Sequence, residues 1–169
     1  MVEVIVSRLG LDASSSSFVV VLEEKGGERV LPIWIGRPEA EAIAAHLNGI
    51  KRPRPMTHDL AQNVINGLGG LLRRVQITHV LDGTYYAELH FSKGGNPVVV
   101  DSRPSDAIAI ALRLEAPIFV AEALFHDEGE DRAAASDLSP AGTDEQLSAD
   151  ELKRHLAQLR PEDFGRFSL

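Results

Sequence analysis

The chain contains no cysteine, which excludes a disulfide framework and any thiolate metal site. Aromatic residues make up only 5% of it, and no stripe of interleaved aromatic and basic residues, of the kind that stacks nucleobases, is present. No apolar run approaches the roughly 20 residues that a membrane-spanning helix needs. The start, MVEVIVSRLG, lacks a basic segment followed by a long apolar one, so no signal peptide is expected. A cytoplasmic protein without a membrane partner is the default expectation. There is also no HExxH, EF-hand loop, P-loop or GxSxG. The run GLGG at Gly67–Gly70 follows a helical pattern rather than a strand and reads as a turn, not a dinucleotide fingerprint.

What is present is the composition of a soluble globular domain, with 44% hydrophobic and 25% charged residues in 169. One domain with an appendage is expected, large enough to bury a core. The net charge of −8 is unevenly placed. Residues 1–125 carry 12 Lys/Arg against 14 Asp/Glu, or −2, while residues 126–169 carry 5 against 11, or −6. The nearly neutral body is not the broadly basic footprint of a nonspecific DNA binder.

Alternating Val2, Val4 and Val6 predict a strand. SFVVVLEE and ERVLPIWIG, separated by Lys25-Gly26-Gly27, predict a hairpin. Pro38 opens a helix with Ala40, Ile43, Ala44 and Leu47 at helical spacing. After the Pro-rich connector KRPRPM, Thr57 is the expected N-cap of a second helix, whose apolar face is Leu60, Val64, Ile65 and Leu68. LLRRVQITHVL, Asp82-Gly83 and TYYAELHFS form a second hairpin signal. PVVVD is a further strand, Ser102–Leu114 a helix turning Ile108, Ala111 and Leu112 inward, and IFV a short edge strand. The domain is set at 1–126. Residues 127–147 read as an acidic, flexible linker, and 148–169 as a C-terminal amphipathic helix and tail opened by the capping box Ser148-Ala149-Asp150-Glu151. The pattern is α+β with mainly antiparallel pairing.

Three polar clusters interrupt this apolar plan. Gly36-Arg37-Pro38-Glu39-Ala40-Glu41 could simply be an acidic first helical turn, which the helix dipole favours. In KRPRPMTHDL three cations precede a His-Asp pair. They form either a solvated loop and cap, or a phosphate-contacting loop beside a histidine able to accept a proton or bind a metal. In VVVDSRPSDAIAIAL a strand runs into a helix through Asp101, Ser102, Arg103 and Asp106. Ser102 and Asp106 could cap that helix and Arg103 could pair with a carboxylate. Alternatively, Asp101 and Asp106 suit a hard cation and Arg103 a phosphate oxygen. A divalent ion in such a place lowers the pKa of a water and neutralises developing charge in phosphodiester hydrolysis.

LPIWIGRPEAEAIAAHL, PRPMTHDL and VDSRPSDAIAIALRLEAPIFVAE, in that order, together with the terminal RPEDFG, make the chain resemble the bifunctional nuclease family. The resemblance spans about residues 1–125 and the last helix. It implies a compact domain with an antiparallel, partly barrel-like sheet packed with helices, nuclease activity on DNA and RNA, and self-association, a dimer being favoured. The family motifs fall on Gly36, Glu39, Arg54, Pro55, Thr57, His58, Asp59, Asp101, Arg103, Pro104, Ser105 and Asp106. The expected catalytic residues are His58, Asp59, Asp101, Asp106 and Glu39. Arg54, Arg103, Ser105 and Thr57 are expected to bind substrate, and Asp101, Asp106 and Glu39 to hold Mg²⁺ or Mn²⁺. The alternative is a non-catalytic nucleic-acid- or protein-binding regulatory module on the same fold. Convergence of Glu39, His58, Asp101 and Asp106 in space discriminates the two.

Overall fold

The computed structural model describes residues 1–12 and 17–125 and the backbone of a short strand at Ser139–Pro140. Apart from that strand, the expected linker at 127–147 and helix at 148–169 lie outside the described residues. The strands are β1 (Val2–Asp12), β2 (Ser17–Glu24), β3 (Val30–Ile35), β4 (Gly70–Leu81), β5 (Thr84–Lys93), β6 (Asn96–Ser102), β7 (Ile118–Val120) and β8 (Ser139–Pro140). The helices are α1 (Arg37–Leu47), α2 (Thr57–Gly67) and α3 (Pro104–Leu114), and a single 3-10 turn follows at Glu122–Leu124.

Two-residue turns set the hairpin registers. Asp82 and Gly83, both at positive φ, join β4 to β5, and Gly94 and Gly95, also both positive, join β5 to β6. Such turns match the right-handed strand twist, and glycine tolerates them without a Cβ clash. Strand order is β3-β2-β1-β7-β4-β5-β6, with β8 pairing β1 at Gly10 and Leu11. Every pairing is antiparallel except β4 with β7.

This is a mixed α+β fold, and two expectations need correction. The sheet is not barrel-like: β3 and β6 end an open path and do not pair with each other. Alternating apolar residues are common to open and closed sheets, and only the pairing of the two outermost strands separates them. Here helices cover one sheet face, so a core forms without closure. Nor is the short strand IFV an edge. β7 lies between β1 and β4, where Ile118 pairs with both Val4 and Val75.

The core lies between that sheet face and the helices. It collects Val20, Leu22, Leu31, Ile33, Val75, Ile77, Ala87 and Leu89 from the strands, Ile43 from α1 and Ile108 from α3. α3 is the central helix: Ala107, Ile108, Ala109, Ile110 and Ala111 are all buried, and α1 and α2 both pack on it. Its small alanines allow that close approach on more than one side. α2 differs from the sequence reading. Only Ala61 and Ile65 reach the core, while Leu60, Val64 and Leu68 face outward at 54%, 49% and 63% exposure. Polar contacts from His58, Asp59 and Gln62 to α3 fix this orientation, and they turn the apolar stripe away from the sheet. No helix among the described residues is long and apolar enough to cross a membrane.

Candidate active site

The first turns of all three helices meet. Each helix starts from an extended residue, Gly36, Met56 or Arg103. Pro38 and Pro104 occupy first-turn positions where a missing N–H costs nothing. Glu39 is therefore in the first turn of α1, His58 in that of α2, and Asp106 in that of α3. Arg103, just before α3, ties the first and third together. Its Nη2 donates to Glu39 Oε1 at 2.7 Å and its Nε donates to Asp106 Oδ2 at 2.7 Å. The other oxygen of Asp106 lies 3.0 Å from His58 Nε2. A continuous chain of contacts thus runs Glu39–Arg103–Asp106–His58. The Arg103 side chain is 66% exposed, whereas the Glu39 and His58 side chains are 13% and 11% exposed. An exposed cation therefore lies over a shallow layer of acid and imidazole.

Gly36 makes room for this arrangement. A Cβ there would run into the Glu39 carboxylate, which folds back over the glycine. Burial raises the Asp106 pKa, but hydrogen bonds from Arg103 and His58 outweigh it and hold the carboxyl below its usual range. Asp106, and then Glu39, raise the pKa of Arg103. Asp106 is thus an anion at neutral pH and Arg103 a cation.

Asp59 turns to other work. Its Oδ1 accepts from Arg113 Nε at 2.7 Å and its Oδ2 from the Met56 N–H at 2.9 Å. Arg113, then Met56, depress its pKa. Arg113 is only 6% exposed. It also donates from Nη2 to the Ala42 carbonyl at 3.1 Å and from Nη1 to the Ala109 carbonyl at 2.9 Å, while its own carbonyl accepts from Gln62 at 2.6 Å. One buried guanidinium thereby ties α1, α2 and α3 together behind the site. The sequence reading passed over Arg113. Its signal is a lone arginine inside the apolar run IAIALRLEAPIF, where a buried charge requires partners.

Asp101 does not join the cluster. It pairs with Glu88 across β5 and β6. Glu88 lies between Ala87 and Leu89, whose side chains point into the helix-covered core. The two-residue strand period therefore places Glu88 and Asp101 on the opposite face of the sheet. Ser105 is buried in the first turn of α3, and Thr57 is exposed in the first turn of α2. Arg54 is exposed in the connector before α2, and Lys51, Arg52 and Arg54 make no ion pair with another described residue. The connector thus offers, just before the first turn of α2, cations that make no ion pair with another described residue.

Oxygen donors of the type a hard divalent cation takes are present in Glu39 and Asp106. As arranged, however, Arg103 is hydrogen-bonded to both, and among the described residues no group of three or more His, Asp or Glu side chains could hold a metal ion.

A model of the bifunctional nuclease domain matches residues 20–132. The chain is 39% identical to an uncharacterized protein of Mycobacterium tuberculosis, over 97% of this chain and 98% of that one. It is also 31% identical to bifunctional nuclease 1 of Oryza sativa subsp. japonica, over 70% of this chain and 37% of that protein. Bifunctional nuclease 2 of Arabidopsis thaliana is 32% identical over 67% of this chain and 35% of its own length. The chain thus spans little more than a third of these plant relatives.

Proposed function

The chain belongs to the bifunctional nuclease domain family, and on that premise we propose that it hydrolyses phosphodiester bonds of DNA, RNA or both at the Glu39–Arg103–Asp106–His58 cluster. The observation that carries the reading is the contact chain built from the first turns of three helices, each supplied by a different family motif. In this reading the exposed basic connector, with Arg54, guides the nucleic-acid backbone toward three helix N-termini, whose partial positive charge favours a phosphate. Arg103 orients that phosphate. Its Nη1 has no hydrogen-bond partner among the described residues, so one side of the fork is open to a phosphate oxygen. Thr57, exposed in the first turn of α2, adds a substrate contact, whereas the buried Ser105 would reach substrate only through a local rearrangement.

Asp106 fixes the imidazole. With the neutral ring donating from Nε2 to Asp106, Nδ1 keeps the lone pair and can take a proton from an attacking water. Asp59 holds the first turn of α2, and with it His58, through Arg113 and the Met56 N–H. Glu39 anchors Arg103 from the other side.

Mg²⁺ or Mn²⁺ is part of the proposal. With a neutral imidazole, Glu39, Asp106 and Arg103 together carry one net negative charge, which opposes a phosphate. Glu39 and Asp106 would hold such an ion only after giving up part of their pairing with Arg103, and it would then offset that negative charge and make a nearby water more acidic. Asp101, on the other sheet face, would join them only through a rearrangement. The substrate is nucleic acid and the active assembly a homo-oligomer, a dimer being favoured.

The second reading, a non-catalytic nucleic-acid- or protein-binding module, draws on one observation: Arg103 is already paired with both carboxylates. Cleavage of labelled RNA, single-stranded DNA and duplex DNA by wild-type protein and by Asp106→Asn separates the two. The nuclease reading expects cleavage by the wild type and loss of at least roughly 100-fold in the variant, the scale of general acid–base catalysis. Equal rates for the two proteins overturn it.

A further inference from the structure

The outer face of α2 lacks the charge that a surface helix ordinarily carries there. Leu60, Val64 and Leu68 follow one another along it at four-residue steps and are 54%, 49% and 63% exposed. The helix, THDLAQNVING, contains no Lys, Arg or Glu, and its one carboxylate, Asp59, is held by Arg113. An exposed apolar stripe of this kind marks an interaction surface. Cations bracket it. Lys51, Arg52 and Arg54 precede α2, the exposed Arg73 and Arg74 follow it in β4, and none of these makes an ion pair with another described residue. Two such stripes laid face to face would set cations against cations whichever way the helices ran, which disfavours the α2 of a second copy as the occupant.

The chain itself carries a segment of opposite pattern. Residues 133–151 include Asp137, Asp144, Glu145, Asp150 and Glu151 and no Lys or Arg. Leu152, Leu156 and Leu159 follow directly, at helical spacing. Isolated helices shorter than about 12–15 residues are marginal in water, so this leucine face needs a surface to pack on. β8 sets where the segment starts out. Gly10 and Leu11 pair with β2 on one side and with β8 on the other, so β8 lies on the side of β1 that β7 takes at Val2–Val4. Beyond β7 is β4, into which α2 leads through Gly69. From Pro140, the residues 141–147 span up to about 25 Å when extended.

We propose that the outer face of α2 is the docking site of the chain's own C-terminal segment, with residues 150–159 lying along it as an antiparallel helix. Leu152 then meets Leu68, Leu156 meets Val64, and Leu159 meets Leu60. The acidic stretch ahead of Leu152 lies against Arg73 and Arg74. The direction follows from the tether, which brings the segment in from the β4 side. The inference concerns this contact alone, and it stands or falls independently of the nuclease reading.

Disulfide trapping in the full chain tests it, made simple by the absence of native cysteine. Two double variants are compared: Leu68→Cys with Leu152→Cys, and Leu60→Cys with Leu152→Cys. Leu60 and Leu68 are about 12 Å apart along the helix, so one docked partner cannot bridge to both, and trapping within the chain should be at least about tenfold faster in the first variant. Hydrogen exchange reads the same contact without engineered cysteine. Amides of residues 150–159 should be protected at all protein concentrations. Val64→Asp, a change at an exposed position of α2, should speed their exchange on the order of tenfold or more by setting a charge in the apolar contact. Disulfides between chains, no trapping, or trapping in the second variant as fast as in the first would each overturn the proposal. So would a 150–159 segment that is unprotected, that is protected only at high concentration, or that is indifferent to Val64→Asp.

Discussion

Arg113→Met gives the sharpest test of how the three helices are held in register. Arg113 is 6% exposed and its partner Asp59 is 33% exposed. Methionine keeps most of the volume and removes the donors to Asp59, Ala42 and Ala109. Breaking a buried pair by deleting one partner costs about 3–5 kcal/mol. Asp59 can regain some water, which favours the lower end, and the Ala42 carbonyl loses a charged donor, which adds back part of it. The expected loss is therefore about 3–4 kcal/mol, or roughly 6–16 °C in Tm for a chain of this size. Urea unfolding followed by far-UV circular dichroism measures it. A combined Arg113→Met, Asp59→Asn variant should be less destabilised than the sum of its parts by at least about 1 kcal/mol, because it no longer strands a carboxylate. The pH dependence has a definite sign. The folded-state pKa of Asp59 is depressed, first by Arg113 and then by the Met56 N–H, below the usual 3.8. Its contribution is thus present above about pH 4 and is lost as pH falls through the depressed value. Arg113→Met should flatten that acid loss. A variant within about 1 kcal/mol of wild type, with an unchanged acid slope, would refute the clamp.

Other outcomes follow from the same geometry. Arg103→Lys keeps the charge but loses the fork; because Arg103 is 66% exposed, stability should change by less than about 1 kcal/mol, while nucleic-acid affinity, read by fluorescence anisotropy, falls several-fold. A fall in melting temperature without an affinity loss would make Arg103 a purely structural residue. Gly36→Ala should push the Glu39 carboxylate off its present position and lower cleavage several-fold, with little change in melting. Full activity in that variant would remove Glu39 from the working site. EDTA should abolish cleavage and either Mg²⁺ or Mn²⁺ should restore it; undiminished cleavage in chelator would leave His58 to act without a metal.

Much of the fold was legible because local chemistry determined it. The Asp82-Gly83 and Gly94-Gly95 turns, and the prolines opening α1 and α3, announce their elements through backbone geometry alone. Sheet closure and the central place of β7 depend on which strands meet across long separations, and IFV carries no mark of its neighbours. The face of α2 was misread for a related reason. Leu60, Val64 and Leu68 have the spacing of a buried stripe, yet His58, Asp59 and Gln62 dock the helix by its polar side. Of the four residues whose convergence was the criterion, Glu39, His58 and Asp106 are linked, through Arg103, and Asp101 is not among them. Asp101 is five residues from Asp106 in sequence but on the far side of the sheet, because one step along a strand reverses the face. Arg113 lies in none of the three polar motifs, since its role comes largely from the Ala42 carbonyl of α1 and the Asp59 carboxylate of α2.

The central claim, that cleavage of nucleic acid resides in the Glu39–Arg103–Asp106–His58 cluster, is tested most directly by one comparison. Wild-type protein and His58→Ala, purified identically until no contaminating nuclease is detectable in a mock preparation, are assayed side by side on RNA and single-stranded DNA with added Mg²⁺. The account predicts cleavage by the wild type and a loss of at least about 100-fold in His58→Ala, with circular dichroism showing the variant folded. Equal cleavage by both proteins, or none by the wild type, would contradict it.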